Sequence, residues 1–254
     1  TLLFGNDQFI KKIKVEKYRA GTISVSVFSP DDEKKYCSTD NIPFFEFVLN
    51  HQIITSSHKL WRYRNHYIRQ MENGGTEIKI IIDGAGKPVN GLQVIVYQQF
   101  FPNTTLVREL LELKVTAQKH FEMNKVNGKL HFKFPQYEIM TGEFVSSTEI
   151  RIASWAEEII DVNNKISYDD RFPEGRFSDL NLAMNHMFHP VIKGKKLEKG
   201  LDNITKGPLN IISGSNMQWI MAYEHASQDN LRGLVDEKKI KDETLILDKG
   251  QGTG

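Results

Sequence analysis

The chain has 254 residues, 39% of them hydrophobic and 26% charged, with 33 Lys and Arg against 32 Asp and Glu for a net charge of +1. That length buries roughly three-quarters of the unfolded surface without help from disulfides or metals, and the even charge balance argues against a nucleic-acid or acidic-membrane partner. The single cysteine, Cys37, rules out an internal disulfide or a Cys-ligated metal centre but does not fix the compartment, and no apolar run reaches the roughly 18–20 residues of a membrane helix. The first residue is Thr1 rather than Met, so a processed or trimmed product is expected, with any targeting segment lost.

Period-two alternation dominates the sequence from residue 23 onward. Ile23, Val25 and Val27 alternate with Ser24 and Ser26, and Phe45, Phe47 and Leu49 repeat the pattern. Ile78, Ile80 and Ile82 follow, set against Glu77 and Lys79, and then Leu92, Val94 and Val96. Leu130, Phe132 and Phe134, then Ile150 and Ile152, and finally Met217, Trp219, Met221 and Tyr223 complete the series. Alternation of this kind places successive side chains on opposite faces of half-buried strands. Asn73-Gly74-Gly75, Asp83-Gly84, Asn90-Gly91 and Asn127-Gly128 punctuate the runs at hairpin spacing with residues that tolerate positive φ.

Residues 106–115 fit a helix face as well as a strand; their neighbours favour a strand. Residues 168–200 hold Pro173, Gly175, Pro190, Gly194 and Gly200, and predict a long irregular excursion with a short helix after Ser178. Closely spaced strands without intervening helices predict an all-β protein, a large antiparallel β-supersandwich over residues 1–234, with residues 235–254 as a linker or tail.

Three groups could carry chemistry. In LWRYRNHYIR, Trp61, Tyr63 and Asn65 alternate with Arg62, Arg64 and His66. The pattern suits a strand, and exposed aromatics beside Arg and Asn suit sugar stacking better than nucleic acid at this net charge. In NHMFH, His186 and His189 are three apart, which on a helical turn makes a metal pair. No third or fourth ligand is evident, and two exposed loop histidines is the plainer reading. Tyr223-Glu224-His225 ends the last alternating run, where an acid and a base would be well placed, although surface residues entering a loop look the same. Dinucleotide, P-loop, zinc-protease and serine-hydrolase motifs are absent. No cofactor or metal is expected.

Four stretches in order, FFEFVLN (residues 44–50), GGTEIKIIID (74–83), GLQVIVYQQFFPNTTLVRELLEL (91–113) and NMQWIMAYEHASQDN (216–230), resemble the N-terminal β-supersandwich domain of the glycoside hydrolase family 36 α-galactosidases. The resemblance spans roughly residues 23–230 and includes the turn from a strand through an aromatic-Pro pair to Val107-Arg108. It implies a galactose-mutarotase-like fold that shapes a galactoside pocket and supports homo-oligomers. It also implies catalysis by two aspartates in a following (β/α)8 barrel, for which neither the K-x-D-x-N pattern nor the Gly-rich segment with Arg occurs here. No catalytic residue is therefore carried over. Trp61, Arg62, Arg64, His186, His189, Glu224 and His225 are the candidate carbohydrate contacts. Two alternatives stand beside this reading. One is a self-contained sugar epimerase or mutarotase using His186, His189, Glu224 and His225. The other is a carbohydrate-binding module displaying Trp61, Trp155 or Trp219, of which Trp219 is more in keeping with the core.

Overall fold

The computed structural model describes residues 1–17, 21–126, 129–140, 151–161, 165–167, 186–196, 202–206, 209–213, 218–222, 235–241 and 244–248. Those residues form strands and turns and no helix, so the all-β expectation holds. The chain divides into two compact units, Thr1–Met140 and Thr141–Gly254. The division falls far from the expected boundary at 234.

The first unit contains β1 (Leu2–Gly5), β2 (Ile10–Lys14), β3 (Ser24–Phe28), β4 (Lys35–Ser38), β5 (Glu46–Leu49), β6 (Gln52–Thr55), β7 (Trp61–Gln70), β8 (Thr76–Gly84), β9 (Leu92–Phe100), β10 (Val107–Val115), β11 (Lys125–Val126), β12 (Lys129–Leu130), β13 (Phe132–Lys133) and β14 (Gln136–Met140). Strands β1, β2, β3, β4 and β14 lie side by side in one sheet, while β7 to β10 form a four-stranded antiparallel meander. The two sheets face each other as a β-sandwich. Phe100 of β9 meets Phe4 of β1 edge-on at 4.9 Å and stacks on Phe9 at 5.9 Å.

The alternation in sequence becomes a buried face in space. Ile78, Ile80, Ile82, Val94 and Val96 point inward, as do Ile13, Val25 and Val27 from the opposite sheet. Residues 107–115 are a strand, with Leu111 and Leu113 set beside Val96 and Val94. Turn chemistry matches the sequence as well. Gly74 takes φ of 79° in the β7–β8 hairpin and Gly91 takes 94° ahead of β9, conformations that a side chain would strain. The segment from Phe44 through β5 departs from simple alternation, since Phe44, Phe45, Phe47, Val48 and Leu49 are all buried. One side of this segment meets Trp61, with Phe45 at 5.9 Å, and the other side, through Phe44, meets Phe134 at 5.2 Å. A strand covered on both faces has no solvent side to alternate toward.

A polar cluster is sealed between the sheets. The Lys11 ammonium, 2% exposed, pairs with Glu109 and donates to Gln98 Oε1 at 2.6 Å. The Tyr137 hydroxyl donates to the same Glu109 oxygen at 2.8 Å, and the ammonium lies 5.4 Å from the Tyr137 ring centre. Burial, reinforced by the Glu109 charge, pushes the Tyr137 phenol well above its usual range. The Cys37 thiol is raised mainly by burial and stays an inert thiol.

In the second unit the described strands are β15 (Arg151–Asp161), β16 (Lys165–Ser167), β17 (His186–Lys196), β18 (Asp202–Lys206), β19 (Leu209–Ser213), β20 (Gln218–Ala222), β21 (Val235–Lys241) and β22 (Thr244–Asp248). Strand β15 pairs with β17 along its whole length on one side, and with β19 and β16 on the other. Strand β21 pairs with β18 and β22. Two expectations change here. The later part of the supposed excursion, 186–196, is a strand despite Pro190 and Gly194, because β17 is an edge strand among the described residues and an edge tolerates proline. The supposed tail holds the β21–β22 hairpin. Residues 168–185, with the expected short helix, lie outside the described residues.

Truncating Glu109 to Ala should leave the Lys11 ammonium buried without a counter-charge and cost about 3–5 kcal/mol. Glu109→Gln, which keeps an acceptor for both donors, should cost less. Urea titration followed by far-ultraviolet circular dichroism measures both. Equal losses would show that a neutral acceptor recovers nothing and that the charge carries the whole interaction, and no loss in Glu109→Gln would show that the charge itself contributes nothing.

Candidate functional site

The meander of β7 to β10 has a second face. Residues directly opposite one another in antiparallel strands share a face, so the register defines four rows on the side away from the sandwich core. The rows are Arg62-Asp83-Gln93-Lys114, Asn65-Ile81-Ile95-Glu112, Tyr67-Lys79-Tyr97-Leu110 and Arg69-Glu77-Gln99-Arg108. Rows two residues apart are spaced by about 6.6 Å, so the set runs roughly 20 Å along the strands.

One irregularity decides which β7 residues reach this face. The register shifts between Tyr63 and Asn65, leaving Arg64 as the extra residue of a β-bulge. The alternation in sequence groups Asn65 with Trp61 and Tyr63, and His66 with the arginines. Past the bulge the phase inverts: Asn65 joins Arg62 outside, and His66 turns inward opposite Ile80. There its Nδ1 is 2.6 Å from the Tyr63 hydroxyl, a contact that strict alternation forbids.

The outer face is held by polar contacts between neighbouring strands. Arg69 pairs with Glu77 at 2.9 Å, and the Gln99 amide donates to Glu77 at 2.6 Å. Arg108 donates to Gln99 at 3.3 Å and lies over the Phe101 ring. At the other end Gln93 donates to Asp83 at 2.8 Å, with the Arg64 guanidinium 3.7 Å from the same carboxylate. Between these ends the Asn65 amide donates to the Tyr67 hydroxyl at 2.7 Å, Lys79 sits 5.4 Å from the Tyr97 ring centre, and the Tyr97 hydroxyl donates to Glu112 at 2.8 Å. Burial, then the hydrogen bond and charge of Glu112, push the Tyr97 phenol up to about 12. Tyr67 remains 56% exposed and Leu110 43%. The arrangement offers ring faces, guanidinium groups and amides to a ligand lying on the sheet. Among the described residues no group of three or more His, Cys, Asp or Glu is placed to hold a metal ion.

The candidates from sequence fall out as follows. Arg62 and Arg64 are exposed, and both flank Asp83 on the outer face. Trp61 is 1% exposed; its ring packs against Phe45 and Phe47 and its indole donates to the Thr55 carbonyl at 2.9 Å. It is a core residue and has no free ring face for a sugar. His186 and His189 belong to strand β17, so the helical turn required by a metal pair is not present there. Glu224 and His225 lie outside the described residues, as do the side chain of Trp155 and all of Tyr223. Trp219 is half-buried in β20, on the same side as buried Met221. Sequence reasoning missed Tyr67, Tyr97, Gln99 and Arg108. Their signal was present as polar and aromatic residues at every second position of adjacent strands, but the bulge masks it in β7. Comparison with protein-family models finds no match, and comparison with curated proteins finds none either.

Because Tyr97 ionises at about 12 rather than at the ordinary 10, folding favours its neutral form. The stability it contributes is present below pH 10 and is lost as pH rises from 10 toward 12. Glu112→Gln removes the opposing charge, so phenolate absorbance in an alkaline titration should show Tyr97 ionising earlier. The shift should fall short of the full return to 10, since burial is the larger cause.

Proposed function

We propose that this chain is the non-catalytic sandwich portion of an α-galactosidase-like glycoside hydrolase, with the galactose-mutarotase-like supersandwich as its architecture. In this reading the catalytic (β/α)8 barrel and its two aspartates belong to another part of the polypeptide. The sandwich contributes to the shape of a galactoside pocket and to homo-oligomer formation.

One observation carries the reading. Two of the stretches that resemble the family, residues 74–83 and 91–113, are the three consecutive strands β8, β9 and β10 of one sheet. With β7 they carry an outer face on which Arg62, Arg64, Tyr67 and Tyr97 stand together. Planar guanidinium groups hydrogen-bond sugar hydroxyls, and phenol rings cover the apolar face of a pyranose. Trp61 has a supporting role, filling the core beneath the strand that presents Arg62 and Arg64.

The coding sequence beyond residue 254 tests the proposal. A barrel-sized continuation with a K-x-D-x-N motif is expected, and a stop codon close to residue 254 overturns the reading. The 254-residue chain alone should hydrolyse an aryl α-galactoside no faster than buffer. In the full polypeptide, Arg64→Ala should raise KM with kcat nearly unchanged, the pattern of a residue that binds substrate and transition state alike.

A further inference from the structure

The outer face of β7 to β10 is unevenly charged. Arg62, Arg64, Arg69, Lys79, Arg108 and Lys114 stand there against Glu77, Asp83 and Glu112, six cations to three carboxylates, on a chain whose whole net charge is +1. Exposure sharpens the imbalance. Within the ion pairs, the Arg69 side chain is 68% exposed and its partner Glu77 only 9%. The Arg64 side chain is 59% exposed and Asp83 26%. Glu77 and Asp83 lie low against the sheet beneath their arginines, while Glu112, exposed, is bound to the Tyr97 hydroxyl; at the two ends of the face the guanidinium groups are what an approaching ligand meets.

The cations lie toward both ends of the face. Arg62, Arg64 and Lys114 are near the first row, and Arg69 and Arg108 are in the last, roughly 20 Å away. Between the two ends lie Asn65, Glu112, the exposed Tyr67 ring and the Lys79–Tyr97 pair. A ligand matched to this surface is extended, carries carboxylates at intervals, and has flat apolar faces between them.

We propose that the outer face of the β7–β10 sheet binds an acidic oligosaccharide, a chain of uronate sugars laid along the strands. Carboxylates pair with the guanidinium groups at either end, where a planar fork meets a planar acceptor in two parallel hydrogen bonds. Pyranose faces rest on Tyr67. The proposal rests on the reading of this sheet as a sugar-contacting surface, and it names the class of sugar. A nucleic acid fits less well, because its backbone needs many phosphates neutralised while three carboxylates share this face.

Calorimetric titration of the full chain with an oligogalacturonate, with its carboxyl-reduced neutral counterpart and with a single-stranded oligonucleotide of similar length tests it. The oligogalacturonate should bind, weaken as added salt screens the charges, and outcompete both controls. Arg64→Gln and Arg69→Gln should each lower its affinity about tenfold, as loss of one charge-assisted contact does, and Tyr67→Ala should do the same. These positions are exposed, so an unchanged urea midpoint shows that the fold survives each substitution. Equal binding of the carboxyl-reduced oligomer, tighter binding of the oligonucleotide, or no binding at all overturns the proposal. The outcome is separable from that of the parent reading. Oligogalacturonate binding by a protein whose gene lacks a barrel would sink the hydrolase assignment alone, and a barrel-bearing gene whose sandwich ignores the acidic sugar would sink this proposal alone.

Discussion

An ammonium sealed between two sheets has to find its counter-charge there. Lys11 reaches across from β2 to Glu109 on β10 and Gln98 on β9, and Tyr137 from β14 closes on the same carboxylate. An unpaired buried charge is far more costly than a displaced leucine. Apolar packing at Phe4, Phe9 and Phe100 holds the sheets together and tolerates small slides; the polar cluster does not. It ties four strands into one registry, and with it the inner and outer faces of the β7–β10 meander are assigned.

That assignment has consequences for the surface. Once Ile78, Ile80, Ile82, Val94 and Val96 are committed to the core, the alternate residues of the same strands are assigned to the other face, where Glu77, Gln93 and Ile95 are themselves covered by their neighbours. Arginine, lysine, tyrosine, glutamine and a few carboxylates occupy most of these positions, around Ile81, Ile95 and Leu110. Their contacts with one another keep the long side chains in place, so a ligand would meet groups already ordered, which reduces the entropy lost on binding. The bulge at Arg64 completes the surface by bringing Arg62, Arg64 and Asn65 to the same side, and by turning His66 back to Tyr63.

Much of this was legible beforehand. Each apolar alternation from residue 23 to 100 marks a buried face, and Gly74 and Gly91 occupy the positive-φ positions that their Asn-Gly and Gly-Gly contexts suggest. Residues 106–115, compatible with either helix or strand, were resolved by their neighbours, because β9 offers a full-length partner. Trp61 lies in the core, against the expectation from its neighbours. Its flanking arginines resemble those of an exposed binding strand, yet the same alternation that exposes Arg62 buries the tryptophan. Pro190 and Gly194 likewise read as loop residues, and only the edge position of β17 accommodates them in a strand.

The sequence by itself determined the all-β class, the strand phase over most of the first unit, the turn positions and the candidacy of Arg62 and Arg64. These depend on period-two burial and on local backbone preference, which act between near neighbours. Tertiary structure alone decided that Trp61 is core, that the chain divides at Met140, and that Tyr67, Tyr97, Gln99 and Arg108 share a face with the two arginines. Those facts depend on register between strands and on a one-residue bulge. A slip of one residue exchanges the faces of a strand, and nothing within a single strand records which register its neighbour will take.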